Sequence, residues 1–397
     1  MELTEKQKIG LDIAVQRFLN KEKYTVISGY AGTGKSTLVK FIISALPNID
    51  PVKDVVYTSF TGKATQVLQK KGNKNVSTLH KLLFESIPKP DGTFFRKPVE
   101  VIPYKIVIVD ECSMVPKNLL QQLAKYNVYI ICLGDPGQLP PVSKDEDNHL
   151  LDTPHVFLDE IMRQEAESEI IQLTMDIRAG KPLNNFLGKE VQILNKEELT
   201  TGMLKWADQI ICATNSTRIK LNNIMRELLG KSGDPQDGDK IICLKNNWDI
   251  YSTDDNPLVN GTVGYLKNPY KTFLKLPPSI SSDRKSKELK LINGEFISDT
   301  EESYGNINMD KQLFLTGENG LDWKTSYNMM RHWRYKKAIP EQFTYGYAIT
   351  GWKAQGSEWD NVLVIEEGFP WEQEEHRRFL YTCATRAAKR LVIIRKD

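Results

Sequence analysis

Short apolar runs and amphipathic runs take turns along the first part of the chain. "YTVIS", "DVVYTS", "KIVIVD" and "VYIICLGD" predict buried parallel strands. Between them "KSTLVKFIISAL", "GKATQVLQKK" and "PKNLLQQLAKY" carry apolar residues at helical spacing. This alternation predicts an α/β fold with a doubly wound sheet. The stretch 85–103, "ESIPKPDGTFFRKPVEVIP", interrupts the rhythm with prolines and a D-G turn signal, and reads as a small inserted hairpin. A second alternating unit starts near Asp208 with the strand "QIICAT" and the helix "NSTRIKLNNIMRELL", capped by Asn215 or Ser216. From about Gly238 to Ile339 the pattern changes to short strands, "KIICLKN", "PLVNGTVGYLKN" and "KTFLKL", broken by N-G and proline. Alternation returns with "NVLVIEE", "HRRFLYTCATRAAKR" and "LVIIR", so an inserted β module, barrel-like in its strand lengths, splits the second sheet.

Composition narrows the classes. At 397 residues the chain has room for two or three domains. No apolar run approaches the roughly 20 residues a membrane span requires, and the charged start "MELTEKQKIGLD" reads as a helix, not a secretory signal. Five cysteines without a C-x-x-C pair argue against a disulfide framework or a zinc site and for a reducing cytoplasm. The net charge is only +2, from 53 basic and 51 acidic residues. Distribution says more than the sum. Between Val55 and Phe84 stand Lys63, Lys70, Lys71, Lys74 and Lys81 with no carboxylate, and "RHWRYKK" at 331–337 interleaves aromatics with bases. Each cluster reads either as a solvated face or as a nucleic-acid contact.

The candidate chemistry starts at "GYAGTGKST". Gly29-x-x-x-x-Gly34-Lys35-Ser36 follows a strand and opens a helix, as a phosphate loop must. Gly29, Gly32, Thr33, Gly34 and Thr37 belong to the cradle. Its amides and helix N-terminus face phosphate, Lys35 neutralises developing charge, and Ser36 ligates Mg²⁺. In "IVIVDECS", Asp110 and Glu111 close a buried strand at the edge where the loop lies. Asp110 is the expected Mg²⁺ partner, and Glu111 the group that orients and deprotonates a water. A small-molecule kinase has little use for that second carboxylate, so the pair favours ATP hydrolysis. In "LGDPGQLPPV", Gln138 is a candidate γ-phosphate sensor, although D-P-G alone is also an ordinary turn.

Eight segments in order then carry a resemblance: G-x-A-G-T-G-K-S-T, "FTGKATQVL", "STLHKLL", "VDECSM", "GDPGQLPPV", "EIMRQ", "YAITGWKAQGSEWD" and "YTCATRAAKRLVI". The set resembles superfamily 1 DNA helicases, and within them the 5′-to-3′ group of RecD-like and phage Dda-like enzymes. The resemblance runs from Gln7 to Ile393. It implies two RecA-like P-loop motor domains with ATP between them. The first spans 1–165 with a small insertion at 85–103, called 1B. The second spans 166–240 and 340–397, interrupted at 241–339 by an SH3-like β-barrel insertion, called 2B.

By matching position, the resemblance implies that Gln7 reads the adenine and that Glu358 approaches the sugar or phosphates. It makes Arg163 and Arg386 arginine fingers, where the residues alone read as surface ion-pair partners. It places Thr61, Thr78, His80, Asn215, Thr350 and Lys353 on the DNA backbone. Phe60 reads as a base-stacking ring or a strand-end core residue. Trp352 stands where many relatives carry histidine, and reads as a stacking face or as core. Phe94 and Phe95 read as the tip of a strand-separating pin or as rings packed on the motor domain. The implied activity is an ATP- and Mg²⁺-dependent helicase, a monomeric translocase on single-stranded DNA and its duplex junctions. Replication or recombination proteins are the implied partners, no membrane is involved, and the location is the cytoplasm, or the host's for a phage chain. The alternative is a nucleic-acid-stimulated ATPase that remodels RNA or protein–DNA complexes without unwinding. A nucleotide-switched binding module is a third class, disfavoured by the intact hydrolytic residues.

Overall fold

The computed structural model describes residues 3–88, 94–140, 148–162, 167–253, 257–299, 301–368 and 372–396; of 86–96 and of Lys70 and Trp248 it describes the backbone only where a strand or helix is assigned. Arg163 and the D-G turn at 91–92 fall outside the described residues, as do the side chains of Phe94 and Phe95. Internal contacts divide the chain into two units. One comprises Met1–Phe84, Pro98–Ala213 and Thr350–Asp397, the other Glu85–Lys97 and Thr214–Ile349.

The first unit is built on two sheets. In the first, the strand order is Val76–Thr78, Val55–Ser59, Ile106–Asp110, Tyr129–Gly134, Tyr24–Gly29 and Val156–Leu158, all parallel. Successive strand residues face opposite sides, and both sides are covered. Ile106 and Ile108 pack with Ile27, Leu38 and Ile42 on one face. Val107 and Val109 pack with Leu83, Leu123 and Ile130 on the other. A strand buried on both faces has to be apolar throughout, which is why these runs lack alternation. In the second sheet Gln209–Cys212, Trp359–Ile365, Ala387–Ile394 and Val191–Leu194 run parallel in that order, with the antiparallel Phe186–Leu187 beyond. The expected α/β architecture is present, and all five cysteines are buried and outside any disulfide. Among the described residues no helix is long and apolar enough to cross a membrane.

The second unit contains an antiparallel sheet in the order Ser303–Asp310, Lys287–Ser298, Val263–Leu276, Lys240–Cys243, Phe343–Tyr345. The expected barrel is not seen closed among the described residues. Its outer strands meet only at one end, where Glu341 N donates to the Asn308 carbonyl (2.7 Å) and Asp310 N to that of Glu341 (3.1 Å). Pairing stops there because Asp310 turns to cap the helix Lys311–Thr316, its carboxylate accepting from Gln312 N (3.0 Å). A second departure concerns "GYLKNPYKTFLKL", which reads as two strands and is one strand of 14 residues. The N-P break is absorbed as a bulge between Lys267 and Tyr270, with Asn268 at φ 49°. The helix Asn215–Leu228 is capped one residue earlier than expected, by Thr214, whose hydroxyl accepts from Thr217 N (3.2 Å).

A buried charge cluster organises this unit. Arg226 donates to the carbonyls of Gly233 (2.8 Å) and Asp234 (2.8 Å) and to Asp239 Oδ1 (3.2 Å). Asp239, fully buried, also accepts from Tyr347 Oη (2.9 Å) and Gln236 N (2.7 Å). Removing one partner of such a pair strands the other, at a cost of about 3–5 kcal/mol. Asp239→Ala is therefore expected to collapse amide-exchange protection in Lys240–Cys243 and Phe343–Tyr345 while Ile106–Asp110 stays protected. Retained protection in the former strands would show that the pair is not what holds them.

Candidate functional site

The phosphate loop leaves the strand Tyr24–Gly29 and enters the helix Lys35–Ala45. Gly34 sits at φ 76°, and a Cβ there would lie 2.5 Å from Gln7 Nε2, so conformation and space both require glycine. Lys35 Nζ donates to the carbonyls of Gly29 (2.7 Å) and Tyr30 (2.9 Å), which keeps its charge inside the loop. Thr33 is buried, its hydroxyl donating to the Tyr30 carbonyl (2.8 Å), whereas Ser36 is exposed and Thr37 half-buried. Gln7 is buried in the capping box of the helix Glu5–Leu19. Its amide accepts from Thr4 N (3.0 Å) and donates to the Thr33 carbonyl (3.1 Å), so the chain's first helix is tied to the loop.

Parallel strands bring the acidic residues to the same edge. Asp110 ends Ile106–Asp110, and burial, then the neighbouring Glu111, push its carboxyl up to about 6. Glu111 adopts φ 51°, an uncommon left-handed conformation for a side-chain-bearing residue. Two adjacent carboxylates at a buried strand end are a donor set that suits a divalent cation. The next strand, Tyr129–Gly134, delivers Asp135, which the sequence reading passed over as part of a turn. Asp135 is buried and its carboxyl is raised by that burial. It accepts from Gly137 N (2.9 Å) and from the Tyr381 hydroxyl (2.7 Å). Tyr381 lies on the helix Gln373–Ala384 against the second sheet, and its oxygen also accepts from Ala31 N of the phosphate loop (2.9 Å).

The segment following Asp135 is held from the same side. Leu139 N donates to Thr382 Oγ1 (2.9 Å), and Gln355 Nε2 donates to the Leu139 carbonyl (2.7 Å). Gln138 is buried, and among the described residues neither its Oε1 nor that of Gln355 has a hydrogen-bond partner. Beside Tyr381, a cavity of about 410 Å³ is lined by Tyr30, Arg178, Arg377 and Arg378. The Arg178 guanidinium stacks 3.0 Å from the Tyr30 ring centre. Arg386 is buried with its donors on the carbonyls of Thr382 (3.0 Å) and Ser357 (3.2 Å) and on Thr385 Oγ1 (2.9 Å). Glu358, next to Ser357, is exposed.

The expected strand contacts fall into two groups. Within the first unit, Phe60, His80 and Phe84 form a ring series with centres 5.7 Å and 6.3 Å apart. Thr61 caps the helix Gly62–Lys70 and Thr78 caps Leu79–Leu83, each hydroxyl accepting a backbone N–H at 3.2 Å. Thr350, Trp352 and Lys353 are half-buried around the short helix Gly351–Ala354. The turn after it reaches Thr61, since a Cβ on Gly356 would lie 3.0 Å from Ala64 Cβ and 3.4 Å from Thr61 Oγ1. Asn215 is exposed in the second unit and accepts from Arg218 Nε (3.1 Å). Sequence reasoning missed Asp135, Tyr381, Gln355 and Arg178. The first three lay inside the quoted motifs, where an acid one residue past a core strand was the available signal.

Tyr381→Phe removes a hydroxyl shared by a buried carboxyl and a loop amide. It is expected to lower stability by about 1.5–3 kcal/mol, read as a lower thermal midpoint with the helix content intact. An unchanged midpoint would mean that these bonds do not hold the two sheets together.

Known proteins match this arrangement in the same order. A family described as an AAA domain matches residues 3–200, and one described as a UvrD-like helicase C-terminal domain matches 345–394; together they cover more than half of the chain. The ATP-dependent DNA helicase dda of Enterobacteria phage T4 is 26% identical over 65% of this chain and 64% of its own length. The ATP-dependent RecD2 DNA helicase of Deinococcus radiodurans is 25% identical over 98% of this chain and 48% of its own. This chain thus spans about two thirds of one relative and half of the other. The crystal structure of a Pif1 helicase from Bacteroides with ADP-AlF3 and single-stranded DNA shares the fold, with a TM-score of 0.51, 18% identity, and coverage of 100% of this chain and 93% of that one. With the helix Gln373–Ala384 joined through Tyr381 to the phosphate loop and to Asp135, the chain belongs to the superfamily 1 helicases of the 5′-to-3′, RecD-like and Pif1-like group.

Proposed function

We propose that the chain is an ATP-driven DNA helicase that moves 5′ to 3′ on single-stranded DNA and displaces the complementary strand. The observation that carries this reading is the double attachment of 135–139. Its nucleotide-side residue Asp135 is bonded to Tyr381, and its far end, Leu139, to Thr382 and Gln355. Gln355 adjoins the Gly356 turn that rests on Thr61, an expected strand contact. A change at the phosphates is thereby linked by packed, hydrogen-bonded groups to a change at the strand.

Each residue has a defined task in this reading. Lys35 and the loop amides hold the β- and γ-phosphates, and Gln7 with Glu358 orients the adenosine. Ser36 and Asp110 fit Mg²⁺, which would offset phosphate charge. Glu111 takes the proton of the attacking water, and Gln138, whose amide oxygen has no partner among the described residues, senses the γ-phosphate. Arg163 and Arg386 are the arginine fingers; Arg386 would exchange its carbonyl partners for phosphate oxygens on closure. Phe60 and Trp352 offer faces to bases, while Thr61, Thr78, His80, Asn215, Thr350 and Lys353 hold the backbone without reading sequence. The hairpin at 85–103, with Phe94 and Phe95, serves as the pin, and the β module corresponds to the SH3-like 2B insertion. The motor works as a monomer in the cytoplasm, beside replication or recombination proteins.

Glu111→Gln is expected to reduce DNA-stimulated ATP turnover by about 10²–10⁴-fold with nucleotide binding retained; full turnover would remove Glu111 from the water-activating role. Gln355→Ala is expected to keep basal hydrolysis and lose most of its stimulation by oligothymidylate. Equal stimulation of variant and parent would break the proposed link. Unwinding of 5′-tailed but not 3′-tailed duplexes is the expected polarity, and the opposite preference would overturn it.

A further inference from the structure

The helix Trp323–Arg331 of the second unit presents a face that the motor chemistry leaves unused. Its inner side is fixed. Asp322 caps it, accepting from Thr325 N (2.8 Å) and the Thr325 hydroxyl (2.6 Å), and Ser282 N donates to that same hydroxyl oxygen (3.0 Å). Asn328 Nδ2 donates to the Ile280 carbonyl (2.9 Å), and Met329 is fully buried against Leu276, Ile280 and Leu291. The outer side is aromatic and wet. Trp323 is 78% exposed and stacks on Tyr327 with ring centres 5.5 Å apart and planes 16° apart. One turn further, the Arg331 guanidinium stands 5.6 Å from the Tyr327 ring centre. Trp333 follows at 81% exposure, stacked on His332.

The charge around these rings points to the occupant. From 322 to 337 the chain carries Lys324, Arg331, Arg334, Lys336 and Lys337 against the single carboxylate of Asp322, which is committed to the cap. Rings at i and i+4 on a pinned helix form a flat, pre-set platform. A row of cations beside such a platform matches a polyanion with stackable faces, not an apolar protein partner or an acidic peptide. We propose that this face is a second binding surface for single-stranded nucleic acid, on which bases stack against Trp323, Tyr327 and Trp333 while Arg331 and Arg334 meet phosphates. The inference goes beyond the helicase reading, which assigns these residues nothing.

The test uses the full chain and the double variant Trp323→Ala/Trp333→Ala, with Arg331→Gln as an independent second variant. Fluorescence anisotropy gives affinity for oligothymidylates of about 8 and about 30 nucleotides, the shorter filling little more than one site. The double variant is expected to bind the short strand, and be stimulated by it in ATP turnover, like the parent. Its affinity for the long strand is expected to fall about ten-fold or more. Arg331→Gln is expected to flatten the salt dependence of long-strand binding by about 0.7 in log–log slope. Parent-like binding of both lengths would overturn the inference and leave the face to another partner, and an equal loss on both lengths would overturn it too. Failure of the short strand to stimulate the parent would count against the helicase reading instead, and long-strand affinity would still decide this one.

Discussion

Three carboxyl groups, on Asp110, Glu111 and Asp135, crowd one edge of a sheet whose strands are buried on both faces, and much of the cleft is arranged to tolerate them. Parallel strands leave no freedom here, since adjacent carboxyl ends deliver their next residues to one place. Burial and mutual repulsion raise Asp110 to about 6 and raise Asp135 as well. The fold supplies compensating donors: Gly137 N and the Tyr381 hydroxyl on Asp135, Glu111 N on Asp110, and the Lys35 ammonium in the adjoining loop. A cation and a polyphosphate are the ligands that such a mixture of clustered acids and inward-facing amides accommodates together.

The donor that comes from farthest away has the largest structural consequence. Tyr381 belongs to a helix of the second sheet, so relieving the buried carboxyl also ties the two sheets together. Because the same hydroxyl oxygen accepts from Ala31 N, the tie ends in the phosphate loop itself. The oxygens of Gln138 and Gln355, without partners among the described residues, lie along the same stretch. A buried polar atom without a partner costs about 1–3 kcal/mol, and natural proteins keep such atoms where a ligand or another arrangement of the chain satisfies them.

What could be read in advance followed sequence distance. The placement of the phosphate loop, Asp110 and Glu111 was legible because each is a local signal: a strand, a sharp turn or strand end, and the candidate side chain within a few residues. The alternation of buried strands and helices was legible for the same reason, and Gln138 and Arg386 came with their motifs. Tyr381 and Asp135 were not legible as a pair, being 246 residues apart and each ordinary in its own surroundings. Gln355 and Leu139, separated by 216, escaped likewise. In the β module the error was different in kind. Asn268–Pro269 looked like a strand end, and only pairing with Lys287–Ser298 shows that a bulge carries one strand past it. Closure of a sheet into a barrel is likewise a property of its edges, which no single strand encodes.

Magnitudes indicate why this tie can serve a motor. Four hydrogen bonds join the two sides along this path: Tyr381 to Asp135, Ala31 N to Tyr381, Leu139 N to Thr382, and Gln355 to Leu139. At a net value of about 0.5–1.5 kcal/mol each, they total roughly 2–6 kcal/mol. Driving a two-state element from 1:99 to 99:1 requires about 5.5 kcal/mol of differential binding. The tie is therefore of the size that one nucleotide can make or exchange. Much stronger bonding would lock the sheets in one arrangement. Much weaker bonding would let them drift apart whatever the nucleotide's state. Three of these bonds fall on Asp135 and Leu139, so most of that energy is drawn from one five-residue segment.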